Sequence, residues 1–397
     1  MSFARDVELN NKNSQKNHLP NNQVAEIHAH SSNGIKASES LTLPPMNIFG
    51  GVIRSKPQSG FNQANLISGK GQLDYHLNSA GYCERIALEL EMTCAVAVSV
   101  IPHYLIDRLE LYSTEGNIIS TIYGDCIYGH KINQGLEVFN RIRDIENLNS
   151  NYDAKALVAA TLYRFVVHLP TFIDGSQIKL SAIKDQLKLK IWFSDLGVVA
   201  GNATDISVSS CDILQYTQQL GAPLETMEQK RKSMGHFYFR FLNPVRIASN
   251  TLAMTASSQY DIRLSSANSL SAYLFFVVRS SPLTTNINTF IKISAFELLD
   301  KDNTIVGLKQ TNESHKLMSL KFEGDIFNYK NLYTLPFALN TEAALNGSQV
   351  GFYAFTSNEI LRVYTDAAFA NGNYRIDVYS MDYNMLCLKD GALNVQK

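Results

Sequence analysis

Leu109-Glu110-Leu111, then Glu115-Gly116, then Ile118-Ile119 are answered 187 residues later by Phe296-Glu297-Leu298, Asp302-Asn303 and Ile305-Val306. Each copy alternates apolar with polar side chains, breaks at turn-forming residues and then resumes, which is the pattern of two strands joined by a hairpin. A second block repeats at an offset of 172: Phe165 falls on Phe337, Gly175-Ser176-Gln177-Ile178 on Gly347-Ser348-Gln349-Val350, and Leu189-Lys190-Ile191-Trp192 on Leu361-Arg362-Val363-Tyr364. The two offsets differ by 15, so the first copy carries 15 extra residues between its blocks. Two blocks in the same order, each with its internal spacing kept, mark an internal duplication.

The same two-residue period extends outward from these blocks. Leu187, Leu189, Ile191 and Phe193 alternate with Lys188, Lys190 and Trp192, and Phe237, Phe239 and Phe241 alternate with His236, Tyr238 and Arg240. Tyr273 to Val278 is apolar on both faces, as in a strand covered on both sides. Lys301-Asp302-Asn303 separates the run ending at Leu299 from Thr304–Leu308 and reads as a second hairpin turn. Helical periodicity is confined to 136–148, through Val138, Ile142 and Ile145, and to 223–234, through Leu224, Met227 and Met234. Many short strands with few helices predict sandwiches or barrels. The chain divides into an N-terminal arm over 1–45, a first β-domain over 46–218, a charged linker over 219–234 and a second β-domain over 235–397. The arm is rich in Asn, Ser and Lys and lacks the apolar surface to fold alone.

Composition narrows the function. Of the 397 residues, 45% are hydrophobic and only 18% charged, which suits a globular protein that packs against many copies of itself. Lys and Arg number 35 against 36 Asp and Glu, for a net charge of −1, so no basic excess predicts direct nucleic-acid binding. The five cysteines, Cys83, Cys94, Cys126, Cys211 and Cys387, are odd in number and widely spaced, and read as reduced, buried small hydrophobes. The sequence opens without the apolar run of a signal peptide, so the sequons at Asn202, Asn312 and Asn346 are read as chance.

Four stretches resemble the double jelly-roll major capsid proteins shared by tailless membrane-containing bacteriophages, large eukaryotic DNA viruses and their relatives. They are Ile106-Asp-Arg-Leu-Glu-Leu111 with Ile122-Tyr-Gly-Asp125; Leu169-Pro170 with the strands at 178–183 and 187–191; Leu335-Pro-Phe-Ala-Leu-Asn340 with Gly347-Ser-Gln; and Tyr374-Arg-Ile-Asp-Val-Tyr through Asp382-Tyr-Asn-Met-Leu386. Departures are Cys126, Asp382 and Leu345-Asn-Gly, where the large eukaryotic viruses carry Trp, Asn and Pro-Ser-Gly. The resemblance implies an all-β fold of two tandem eight-stranded jelly-roll barrels with a few short helices in loops. It implies a capsid protein of the virion, made in the host cytoplasm, that forms homotrimeric pseudo-hexagonal capsomers tiling an icosahedral shell over an internal membrane. Its partners would be itself, minor capsid and penton proteins, and that membrane through the arm.

Jelly rolls also serve lectins, cupins and glycosidases, so the fold alone does not decide. A cupin needs clustered His and carboxylate ligands. Here His76, His103, His130, His168, His236 and His315 each stand alone, and the His28/His30 pair lies on the featureless arm. Ser181-Ala-Ile-Lys184 matches a Ser-x-x-Lys motif but sits in strand pattern without companion motifs. The alternative kept is a carbohydrate-binding jelly-roll protein, on the strength of 19 Tyr and 20 Phe. Asp107, Asp125 and Asn340 are expected at strand ends and turns, bonding local backbone. No catalytic, cofactor-binding or metal-binding residue is assigned, no cofactor is expected, and the protein is read as no enzyme.

Overall fold

A computed structural model describes residues 48–58, 71–133, 155–220, 236–311, 331–338 and 351–396, apart from short interruptions within these spans. The arm, the two expected helices at 136–148 and 223–234, the three sequons, Asn340 and the Gly347-Ser-Gln stretch lie outside the described residues. The first half runs β1 (Ile48–Ser55), β2 (Gln72–His76), β3 (Tyr82–Cys94), β4 (Val98–Val100), a 3-10 turn (Pro102–Leu105), β5 (Ile106–Tyr112), β6 (Ile118–Tyr123), helix α1 (Gly124–Asn133), β7 (Lys155–Leu157), β8 (Tyr163–Leu169), β9 (Ile178–Lys179), β10 (Lys188–Phe193) and β11 (Ile206–Leu220). The second runs β12 (His236–Met254), β13 (Gln259–Arg263), β14 (Leu270–Ser280), β15 (Ala295–Leu299), β16 (Ile305–Thr311), β17 (Tyr333–Pro336), β18 (Tyr353–Ala354), β19 (Ile360–Tyr364), β20 (Gly372–Lys389) and β21 (Ala392–Gln396).

The first half makes two main sheets, β1-β11-β3-β8 and β2-β10-β5-β6; the second makes β12-β20-β14-β17 and β13-β19-β15-β16. Setting aside the small strands β4, β7, β9, β18 and β21, each half has eight strands. Their order in space is first-eighth-third-sixth and second-seventh-fourth-fifth, in both halves alike. That is the jelly roll, in which two four-stranded antiparallel sheets face one another across a core. The all-β expectation holds, and among the described residues there is one α-helix.

The duplication reaches down to register. Leu189 stands opposite Leu111 and Ile191 opposite Leu109. Leu361 stands opposite Leu298 and Val363 opposite Phe296. Both sequence offsets therefore meet in one ladder. The outward side chains of that ladder repeat as well: Lys190 lies between Asp74 and Glu110, and Arg362 between Asp261 and Glu297. Arg362 Nε and Nη2 reach Asp261 at 2.7 and 2.9 Å, and Lys190 Nζ comes within 3.8 Å of Asp74. These exposed pairs fix register more than they add stability. One sequence match does not survive: Phe165 sits inside β8 opposite Leu90, while Phe337 lies just beyond the end of β17. The two Leu-Pro pairs correspond instead, since Leu169 faces Ile86 as Leu335 faces Leu274.

β5 and β6 pair as the hairpin expected at Glu115-Gly116-Asn117 requires, with Glu115 itself outside the described residues. Gly116 takes φ +87°, a left-handed conformation that L side chains resist, and its N–H donates to the Ser113 carbonyl at 2.9 Å. β15 and β16 pair likewise, with Lys301-Asp302-Asn303 itself outside the described residues. β14 explains the doubly apolar run. Leu274, Phe276 and Val278 point into the second core, whereas Tyr273 and Phe275 join a cluster continuous with the first core. The five cysteines are free and buried.

Candidate functional site

The two jelly rolls meet where β6 turns into α1, and a cluster of charged side chains is buried at that junction. Gly124 opens the helix beneath the Ile106 backbone carbonyl, where any Cβ would collide. The next residue, Asp125, is thereby carried off the strand and into the second jelly roll. Its carboxylate accepts two hydrogen bonds from Arg279 of β14, one of them Nη1 to Oδ2 at 2.9 Å and the other from Nη2 to Oδ1. The Tyr379 hydroxyl of β20 donates to Oδ2 at 2.7 Å. A second carboxylate, Asp377, lies 3.7 Å from Arg279 Nη1 and takes the Arg375 Nε–H at 3.0 Å and the Ser249 hydroxyl at 2.7 Å. Arg279 lies near two rings, 5.4 Å from Tyr104 and 4.9 Å from Phe290. Two guanidiniums and two carboxylates thus balance in a site from which Asp125, Arg279 and Asp377 are almost wholly closed to solvent.

Burial alone would push the Asp125 carboxyl up. Arg279 outweighs it, joined by the Tyr379 and Tyr104 hydroxyls, and holds the group below the ordinary carboxylate value. Burial lifts the neighbouring Cys126 thiol and the Tyr379 phenol far above their usual ranges, so both stay protonated. No nucleophile is activated here; the arrangement orients rather than reacts. Around it the junction is aromatic. Phe275 stacks on Tyr379 at 4.9 Å, and Gly129 of α1 leaves room for the Phe275 ring, which a Cβ would approach to 3.3 Å. Arg246 lies over Tyr123 at 4.3 Å, and Ser120 Oγ donates to Asn243 Oδ1 at 2.7 Å. Beside these contacts opens a cavity of about 650 Å³ lined by Glu110, Ile118, Tyr123, Pro244, Arg246 and Leu393, among others.

The structure corrects the reading of Asp125 as a turn residue bonded to local backbone. Its partners are Arg279 and Tyr379, 154 and 254 residues away. Nor does Tyr-Gly-Asp end in a plain turn, for it begins α1, which the hydrophobic pattern did not signal. Asp107 lies exposed in β5. Among the described residues, no group of three His, Cys, Asp or Glu side chains could hold a metal ion. No helix there is long and apolar enough to cross a membrane.

No protein-family model and no curated protein matches the chain by sequence. Solved structures do match by shape. PBCV-1 VP54 superposes with a TM-score of 0.67 at 14% identity, covering 89% of this chain and 98% of that one. The Faustovirus major capsid protein gives 0.57 at 9% identity, covering 92% and 97%. The mavirus major capsid protein gives 0.52 at 12% identity, covering 92% and 94%. Two jelly rolls in one polypeptide, matched end to end, give this chain the double jelly-roll fold of those viral proteins.

Proposed function

We propose that this chain is a viral major capsid protein, a component of the virion shell and not an enzyme. The observation that carries the reading is the coverage: both jelly rolls and their junction are matched together, over 89% of this chain and 98% of PBCV-1 VP54. The duplication supplies the geometric reason. Three chains around a threefold axis present six similar barrels, and a pseudo-hexagonal block of that kind tiles an icosahedral shell with one gene product. Residues 46–218 and 235–397 are the two domains, 219–234 the linker, and 1–45 an arm for neighbouring capsomers, minor proteins or an internal membrane.

The carbohydrate-binding alternative would use an aromatic on an outer sheet face. Trp192 is such a residue, but the Arg108 guanidinium lies 4.2 Å from its ring centroid, occupying the surface a sugar would stack on. Light scattering after size exclusion is the test. The purified chain is expected near three times 44.3 kDa. A monomer at all concentrations, with retention of glycans on an array, would favour the alternative.

A further inference from the structure

One end of the first jelly roll is built from two stretches without charge, in a chain that is 18% charged. No Asp, Glu, Lys or Arg stands between Cys94 and Asp107, or between Lys155 and Arg164. The fold brings these stretches together. β3 ends at Cys94, β8 begins at Tyr163 opposite Met92, and β4 pairs with β7, Val98 opposite Leu157. Ala95, Val96 and Ala97 on one loop, and Val158, Ala159 and Leu162 on the other, are all exposed. The larger side chains stand well out in solvent, Val96 at 48%, Val158 at 62% and Leu162 at 57%. Beneath them Cys94 and Leu157 are buried and fasten the tip to the first core. Single exposed aliphatics are ordinary, but neighbouring ones with no charge among them mark a contact surface.

The polar groups of this tip are already used within the chain. The Ala160 N–H donates to the Cys94 carbonyl at 2.8 Å, and the Cys94 thiol to the Val158 carbonyl at 3.4 Å. The Val158 N–H donates to the Tyr163 hydroxyl at 2.8 Å, and the Thr161 hydroxyl to the Ala159 carbonyl at 3.5 Å. Ala160 holds φ +57°, a left-handed conformation that Gly adopts at less cost, so the turn carries a methyl group where bare backbone would be easier. What remains for a partner is alkyl surface over a backbone whose bonds are closed. Hydrocarbon demands that combination, because it cannot hydrogen-bond a free N–H or C=O. A specific protein contact instead draws on roughly one hydrogen bond per 100–200 Å², and this tip has few to give.

We infer that the tip enters the apolar margin of a lipid bilayer, with uncharged lipid as its ligand. The capsid reading is needed in one respect only: a shell displays many copies, which multiplies a contact too weak to hold a single chain. Position says which bilayer. Cys94 stands opposite Ile206, the first residue of β11, and Ile48 stands opposite Leu220, its last. The tip and the entry of the arm thus lie at opposite ends of the first jelly roll. In a shell, the membrane met by the tip lies on the far side from any that the arm would meet.

Flotation with phosphatidylcholine vesicles tests this, using the full-length protein in the oligomeric form in which it is purified, at low and at high salt. The test variant is Val158→Asp with Leu162→Asp, since both side chains lie outside the two cores. Phe352→Asp, at a 47% exposed site in the second jelly roll, is the control. Wild type and control are expected to float at either salt, and the double variant to stay below, with light-scattering mass and melting curve unchanged in all three. Leu162→Gln alone, the mildest change, is expected to lose part of the flotation. A wild type that does not float, or a double variant that floats as well, overturns the inference. So does flotation that requires phosphatidylserine and disappears at high salt, which would be attraction through charge elsewhere. A double variant that loses the wild-type mass would show that the tip joins copies of this chain, and would overturn it too. A monomeric wild type counts against the capsid reading, whereas an assembled one that stays below the vesicles sinks this inference alone.

Discussion

Arg279→Met is expected to lower the unfolding free energy by roughly 3–5 kcal/mol, measured by chemical denaturation, because removing one member of a buried ion pair leaves the others uncompensated. Both Asp125 and Asp377 lose their shared cation, 2.9 and 3.7 Å away. Arg375 is retained beside Asp377 alone. Asp125 also sets a pH dependence whose sign follows from its lowered pKa. The folded state binds its proton less readily than the unfolded chain does. Its contribution is therefore complete above the unfolded carboxylate value, about 4, and is lost as pH falls through the lower folded value. An acid titration of stability should show a shallower decline in Asp125→Asn than in wild type. An equal slope in the two proteins would mean that Asp125 is not the titrating group.

Phe276→Ala should cost a similar amount, roughly 3–5 kcal/mol, for a different reason. The ring is fully buried at the centre of the second core. It stacks on Tyr333 at 5.1 Å and meets the edge of Phe296 at 5.1 Å, and those two rings contact each other at 5.7 Å. Three mutually packed rings held by β14, β15 and β17 cannot close over a missing one without moving strands of both sheets. A heat-denaturation midpoint within a degree or two of wild type would show that the site collapses readily. Phe276→Leu, which restores much of the volume, should recover part of the loss.

What could be read in the sequence was whatever alternation controls. In a half-buried sheet, the face a residue points to is fixed by parity, so Leu109/Leu111 and Leu189/Ile191 declared both their strands and, through the duplication, their neighbours. Tyr273 to Val278 was legible as a doubly covered strand, although the sequence could not say that one cover is the other jelly roll. The junction itself was not legible. Gly124-Asp-Cys-Ile gives no amphipathic period because these four residues are all buried at the junction. Asp125 looks like any turn aspartate until Arg279 arrives from far along the chain. The Phe165/Phe337 match failed where β8 and β17 differ in length, which shifts residue matches without disturbing the ladder anchored by Leu169 and Leu335.

The buried ion cluster has a thermodynamic setting of its own. Two separate molecules that associate give up roughly 4–15 kcal/mol of translational and rotational freedom, and an interface rich in desolvated charge is poorly suited to offset that loss. Between β11 and β12, however, the polypeptide is continuous, so the two jelly rolls meet at an effective concentration on the order of millimolar however dilute the protein. Tethering frees the junction from having to generate affinity. Its centre can hold Asp125, Arg279 and Asp377, whose bonds fix one relative orientation of the two jelly rolls.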